Sequence, residues 1–412
     1  MPTVPIATAI STPPIEILVE SNVLTEQSNN PLSTPTSSAT QEFAELNGKV
    51  TLWHVYGDGS LQREALDQVI ANAREAFPNL QIEVLQIPKS EANRMVQVEF
   101  PERNGPDLIL AGNVDLNSWI QRGLVLNLED YLGERTEKFN SLALAGMEEN
   151  GEQYGLPLSI DFPVLYYHNS TLEKPPQTTE ELLSQVERGI SLVLLIDLYD
   201  LYGWSAAFGG KLFNEAGQCI ADQGGWSDYL NYLLLLKDAG AVFETDYYLA
   251  QEKFLEGEAD IFLDNVSELT NYREIIGDDL GVAPLPVGPV GPALPWVNLD
   301  GVYVNTYGKD IPAAVELALY LTNHESAQIF ANIARRIPVR SDIVLDDPVL
   351  ERLLDSIGQG EPMPQGEVWT NTWIVFGELI NQVLEGQLSA QEALVQACVR
   401  LNSKVPQFPV SP

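Results

Sequence analysis

Positive charge is scarce in this chain. Its 412 residues hold 22 lysines and arginines against 58 aspartates and glutamates, a formal net charge of −36. A surface this acidic repels nucleic acid and anionic lipid head groups, which removes both as partners. It also disfavours dinucleotides, phosphates and other anions as main ligands, because no local basic pocket is visible. A neutral or cationic ligand fits. Long apolar runs are missing as well: none approaches the ~20 residues that cross a bilayer. Histidine is sparse, and His54, His168 and His324 stand apart with no HxxxH or HExxH pairing. No metal site and no cofactor are therefore expected. Cysteine is reduced to Cys219 and Cys398, too far apart for a CxxC-type metal or redox site. Two readings stay open: a long-range disulfide, which would suggest export, or two buried free thiols.

Familiar catalytic motifs are also lacking. No GxxxxGK[ST] loop occurs. Gly57-x-Gly59 follows a strand and opens a helix as a dinucleotide fingerprint does, but the third glycine is replaced by Gln62. Gly203-Trp204-Ser205-Ala206-Ala207 is not a GxSxG nucleophile elbow.

What is present suits a soluble globular protein of two to three domains, with 45% hydrophobic and 19% charged residues. Residues 1–47 differ from the rest. TAISTPP (Thr8 to Pro14) and SNNPLSTPTSSAT (Ser28 to Thr40) cannot bury enough apolar surface to offset ordering, so a disordered linker is expected. No basic start with an apolar core precedes it, so no secretion signal is visible. A long Ser/Thr/Pro tether is nonetheless typical of an exported protein held near a membrane; an incidental floppy terminus is the alternative.

The body alternates strands and helices. Gly48 to Tyr56 alternates as a strand. Ser60 caps a helix whose apolar face is Leu61, Ala65, Leu66, Val69, Ile70, Ala73 and Phe77. Strands at Leu80 to Ile87 and Asp107 to Ala111 follow, with a helix between. This order implies βαβ units and parallel pairing, with ligands beyond the carboxyl ends of the strands, at Asp58, Asn113 and Asp115. Later segments repeat the pattern: a helix at Leu172 to Arg188, a buried strand at Ile190 to Ile196, helices at Trp226 to Ala239 and Tyr247 to Glu256, and a strand at Asp260 to Leu263. Val297 to Asn305 reads as a strand returning to the first lobe, and Asn371 to Leu384 and Ser389 to Leu401 as closing helices. Between the halves, Tyr154 to Asn169 holds two extended runs, each marked by a proline, with Asp161 between them. A solvated turn is the plain reading. The sharper one is a crossing that presents Asp161 and Phe162 to an interlobe cleft.

Carboxylates and aromatics therefore gather at strand ends. Carboxylates accept paired hydrogen bonds from vicinal hydroxyls, and flat rings stack on pyranose faces, which together suit neutral sugars. For any one Trp or Tyr, a place in the core is the ordinary expectation. The same carboxylates could serve a glycosidase as an acid and nucleophile pair.

From Gly48 to Lys404 the chain resembles the extracellular solute-binding proteins of ABC importers, the group that includes maltose/maltodextrin-binding protein. The resemblance rests on VTLWHVYGDG, PDLILAG and YGLPLSIDFPVLYYHNSTL, then AAFGGKLFNEAGQ, FLEGEADIFLDN, GVAPLPVGP, LDGVYVN, ALYLTNHESAQIF and LINQVLEGQLSAQEAL, in that order. It implies an α/β, two-lobed periplasmic-binding-protein type II fold. Each lobe is a mixed, mainly parallel sheet flanked by helices, around a hinged cleft. The first lobe would take residues 48–160 and 298–341, the second 161–297 and 342–405. The family's pattern places ligand contacts at Asp58, Asn113, Asp115, Asp161, Phe162, Asp197, Tyr199, Trp369 and Trp373. It implies a non-catalytic, extracytoplasmic, monomeric protein that captures a sugar such as a maltodextrin and delivers it to a membrane permease. A glycosidase or a sugar-sensing module are the alternatives. Two departures argue against maltose itself: Asn265-Val266-Ser267 stands where relatives often carry Gly-Pro-Trp, and Ala111 replaces an aromatic residue. Trp296 is a candidate substitute ring.

Overall fold

Short-range signals account for most of the elements. Strand β1 (Gly48–His54) buries Val50 and the run Leu52 to His54. Gly59 then turns the chain with φ +78°, a conformation that suits glycine. Ser60 starts the Leu61–Ala76 helix by accepting the Arg63 N–H on its side chain, and Ala65, Leu66, Val69, Ile70 and Ala73 form its buried face. β2 (Leu80–Gln86) and β3 (Leu108–Gly112) pair parallel to β1 on either side. The computed structural model describes residues 46–356 and 360–403. Of the expected Ser/Thr/Pro linker, only Leu46 and Asn47 are among them.

β4 (Leu156–Asp161) and β5 (Pro163–His168) are separated by Phe162 alone, yet they belong to different sheets. β6 (Leu192–Leu195), β7 (Val242–Glu244), β8 (Ile261–Asn265) and β9 (Leu280–Ala283) complete the second sheet, in the order β9-β5-β8-β6-β7. β10 (Trp296–Val304) returns to the first sheet, whose order is β2-β1-β3-β10-β4. Ile337–Pro338 pairs outside β4, and Glu361–Pro362 pairs with the start of β10. Both sheets are mixed. β1, β2 and β3 run parallel, while β10 is antiparallel to β3 and β4. β6, β7 and β8 run parallel, while β5 is antiparallel to β8 and β9.

The sheets define two lobes, threaded together from β4 to β5, from β9 to β10, and again after Pro338. One apolar cluster is continuous through the crossing and joins Ile160 and Val339 to Phe162, Val164 and Phe262. Continuous burial there resists shear of one lobe on the other.

Some elements differ from the sequence-based expectation for local reasons. The helix expected from Leu172 is confined to Thr179–Glu187, because Pro175-Pro176 cannot enter it and Thr178 provides the cap. Leu198–Ala207 is a helix capped by Asp197. Pro348–Ser356 is a further helix that the sequence reading did not assign, with Leu350 and Leu353 buried. The next helix starts at Gly366, ahead of the expected Asn371, and runs to Leu384. Ala390–Asn402 follows with a reciprocal Ser389–Glu392 capping box. Cys219 and Cys398 are joined in a disulfide that ties this last helix to the second lobe.

Candidate ligand-binding site

The crossing builds a continuous chain of polar contacts. Asp161 ends β4, and its Oδ1 accepts the Ser267 N–H at 3.0 Å. Ser267 lies where the sequence lacks the Gly-Pro-Trp run of its relatives, so a backbone donor meets the crossover acid there. The other oxygen, Oδ2, lies 3.8 Å from the Arg336 guanidinium. Arg336 also donates to Asp300 Oδ2 at 3.3 Å, and Tyr56 Oη donates to the same oxygen at 3.2 Å. On the second-lobe side, Tyr199 Oη donates to the Asp161 carbonyl at 3.4 Å. Asp197 accepts the Tyr199 N–H at 2.7 Å on Oδ1 and the Trp373 indole N–H at 2.7 Å on Oδ2.

Trp373 is delivered by the Gly366–Leu384 helix, whose start is fastened to the first lobe. The Gly366 N–H donates to the Val114 carbonyl at 3.2 Å. The Gln365 side chain accepts the Asn117 N–H at 3.1 Å and donates to the Gly146 carbonyl at 2.7 Å. One turn before Trp373, Trp369 meets Trp296 edge-on at 5.2 Å.

Burial dominates the electrostatics. Burial by itself lowers the Arg336 pKa, but Asp161 and then Asp300 outweigh it, and the guanidinium stays firmly charged. Burial, then Asp197, Asp264 and Asp161, push the Asp200 carboxyl well above the ordinary range. Burial raises Asp264 to about 7 against the opposing hydrogen bonds from Tyr272, Asn265 N–H and Tyr247. Burial likewise raises Asp115, and it lowers His54 to about 4, helped by Arg63. The crossing therefore offers fixed carboxylate acceptors beside a ring, Trp373, that is 43% exposed. Hydroxyl groups and an apolar face are what such a surface can hold.

The expected residues divide. Asp161, Asp197, Tyr199 and Trp373 form one contact chain. Asp58 sits in the turn after β1, exposed, with Arg63 at 3.7 Å. Asp115 is half-buried and accepts from Asn93 at 2.7 Å. Trp369 is partly buried against the second-lobe core. Asn113 and Phe162 require correction as side chains offered to ligand. Asn113 is fully enclosed, and its amide is spent on the Gly146 carbonyl at 3.0 Å and the Leu299 N–H at 3.2 Å. Phe162 is buried in the apolar cluster with Val164, Phe262 and Val266. Trp296 is not a free substitute ring, since it is buried and stacked on Tyr202 at 3.7 Å. Sequence reasoning missed Arg336, Asp300, Tyr56 and Gln365. A cation pair, Arg335-Arg336, in so acidic a chain was the one available signal. A cavity of about 500 Å³ lined by Arg135, Phe139, Glu316, Tyr320 and Arg340 contains none of these residues. Among the described residues, no group of His, Cys, Asp and Glu is placed to hold a metal ion.

Two sheet-based lobes, repeatedly threaded and meeting at acids and an exposed ring, define a two-lobed solute-binding protein. The profile of the bacterial extracellular solute-binding protein family matches residues 68–352, and the chain belongs to that family. It is 25% identical over 347 residues to the maltodextrin-binding protein MdxE of Bacillus subtilis (strain 168), spanning 76% of this chain and 82% of that one. It is 19% identical over 392 residues to the galactooligosaccharide-binding protein of the same organism, spanning 88% and 91%. The crystal structure of a cyclo/maltodextrin-binding protein complexed with maltotetraose superposes with a TM-score of 0.78 at 20% identity, covering 88% of this chain and 98% of that one. That likeness shows the fold.

Proposed function

We propose that this chain is the non-catalytic sugar-capturing component of an ABC importer. A neutral oligosaccharide, such as a maltodextrin, is held where the lobes meet and passed to a membrane permease. The observation that carries this reading is the 2.7 Å hydrogen bond from Trp373 to Asp197, which fixes a half-exposed ring beside the acids of the crossing. Asp58, Asp115, Asp161, Asp197, Tyr199, Trp369 and Trp373 supply contacts, while Asn113 and Phe162 shape the backbone beneath them. The lobes divide at residues 48–160 with 298–341 and 161–297 with 342–405. Contacts made only when the lobes close shift the hinge equilibrium, and the permease reads the closed shape. The protein works as an extracytoplasmic monomer, and its Ser/Thr/Pro segment serves as a tether.

The carboxyl that burial raises to about 7 does not favour a hydrolytic role. Asp264, the group raised to about 7, is 2% exposed and covered by Tyr247 and Tyr272, out of reach of a glycosidic oxygen. Titration calorimetry with a panel of maltodextrins and galactooligosaccharides tests the proposal. Heat with one series and not the other names the sugar, and no heat with any sugar overturns the reading. Trp373→Ala should weaken binding by roughly 1–3 kcal/mol without lowering Tm, because the lost ring face is exposed rather than core. Unchanged affinity removes Trp373 from the site.

A further inference from the structure

Resting on that binding reading, we propose that Arg336 is the positioning residue of the crossover carboxylate. It holds Asp161 between the lobes as a charge-balanced acceptor and thereby sets the affinity for a hydroxyl-rich solute.

Strand register places it. Ile337 pairs antiparallel with Ile160, and Pro338 with Ser159. The same register carried one step sets Arg336 opposite Asp161. β10 lies against the other edge of β4, with Asp300 paired to Ser159. Two carboxylates from adjacent strands thus share one guanidinium, 3.8 Å from Asp161 and 3.3 Å from Asp300. The Arg336 side chain is only 11% exposed, so solvent screens these pairs weakly. Other groups crowd the same place: Tyr56 beyond the end of β1, Tyr199 and Asp200 on the Leu198–Ala207 helix, and Asp264 on β8. Asp300 shares the cation with Asp161, and burial raises Asp200 and Asp264, so Arg336 is the charge set against the two acids that it bridges.

The arrangement is a poor stabiliser. A buried ion pair is weak evidence for stability, because desolvation offsets the attraction. Among the described residues, Arg336 Nε and Asn298 Oδ1 are also buried with no hydrogen-bond partner. A structure that keeps such costs at its crossing keeps them for the site. With Oδ1 fixed by the Ser267 N–H and Oδ2 facing Arg336, Asp161 cannot swing into the core, and its remaining lone pairs are left for vicinal hydroxyls.

The test is calorimetry on the full chain with maltotetraose, or with whichever sugar of the panel the wild type binds, between pH 5.5 and 8. Arg336→Gln should weaken binding about tenfold or more at pH 7.5, on the scale of one lost opposite charge. The loss should deepen as pH falls, because the uncompensated carboxylates take up a proton. Arg336→Lys keeps the charge but not the fork that bridges two acids. It should bind about 3- to 10-fold more weakly than wild type, with the wild-type pH profile. Wild-type affinity in folded Arg336→Gln overturns the proposal, as does an equal loss at every pH with no recovery in Arg336→Lys. If Arg336→Gln does not fold, Arg336→Lys decides alone: affinity equal to wild type, or a pH profile steeper than wild type, overturns it. Should the wild type bind no sugar, the binding reading fails separately. The ligand-free stabilities of Arg336→Lys, Asp161→Asn and the double variant then decide the coupling, and additive losses remove it.

Discussion

The two lobes share a plan and differ in content. Each is a mixed sheet whose parallel strands are joined by an antiparallel strand from elsewhere in the chain. The first lobe brings charge to its rim, with Asp58 exposed and Asp115 half-buried at the ends of β1 and β3. It buries His54, whose pKa burial lowers, and Asp107. The second lobe brings rings and cover. Trp226, Tyr229, Tyr202 and Trp296 pack as one aromatic set, Trp369 leans on it, and the Cys219–Cys398 bond ties in the Ala390–Asn402 helix. This lobe buries two carboxyls whose pKa burial raises, Asp200 and Asp264, together with His168. One architecture thus divides two tasks, because a strand-end turn can expose an acid while a broad ring needs a helix packed beside it.

Breaking the disulfide should show the largest contrast. The bond joins residues 179 apart, so its loss frees a long loop in the unfolded chain. Cys398→Ala should cost roughly 3–5 kcal/mol of unfolding free energy. The loss should appear in the second lobe, read by chemical denaturation with hydrogen exchange. A loss under about 1 kcal/mol, or one spread evenly over both lobes, would erase this distinction.

The next contrast is in pH. Asp264 has a folded pKa of about 7 against an ordinary 3.8, so between those values the folded state binds more protons than the unfolded chain. Its contribution to stability therefore falls as pH rises from about 4 to 7. Asp264→Asn should raise stability at pH 8 by roughly 2–4 kcal/mol and flatten part of the slope. His54 runs the other way. Its pKa is lowered from 6.5 to about 4, so its contribution is complete above 6.5 and is lost as pH falls toward 4. At pH 5 that loss amounts to about 2 kcal/mol, and His54→Asn should remove it. Melting curves of the two variants across pH 4 to 8 separate the slopes; parallel curves would sink the assignment.

The smallest effects come from the caps. Ser60→Ala removes a single side-chain acceptor at the first-lobe helix, and Ser389→Ala removes one half of a reciprocal box in the second. Each should cost about 1 kcal/mol, with Ser389→Ala the larger. Equal losses would show that the returning Glu392 carboxylate adds nothing.

Much of the fold was legible because local chemistry set it. The Ser60 cap, the five-residue apolar face behind it and the Trp226–Ala239 helix follow from periodicity and capping alone. The proposed site was legible in part. Asp161 stood out between two extended runs, and the family resemblance pointed to Asp197, Tyr199 and Trp373. Asn113 looked equally suitable, yet its amide is consumed by neighbours from other segments. Phe162 looked like cleft lining, yet it is the apolar pin between β4 and β5. Gln365 and Arg336 carried little local signal, because their importance comes from partners far along the chain.

The sequence by itself determined most of the strands and helices and the two proline-marked extended runs around Asp161. Those are properties of near neighbours, whose steric and polar preferences act within a turn or two. Tertiary structure decided that Cys219 meets Cys398, that Arg336 stands opposite Asp161, and which acceptors remain unspent. Each of these depends on strand register and on exclusion of water, and neither exists until distant segments pack.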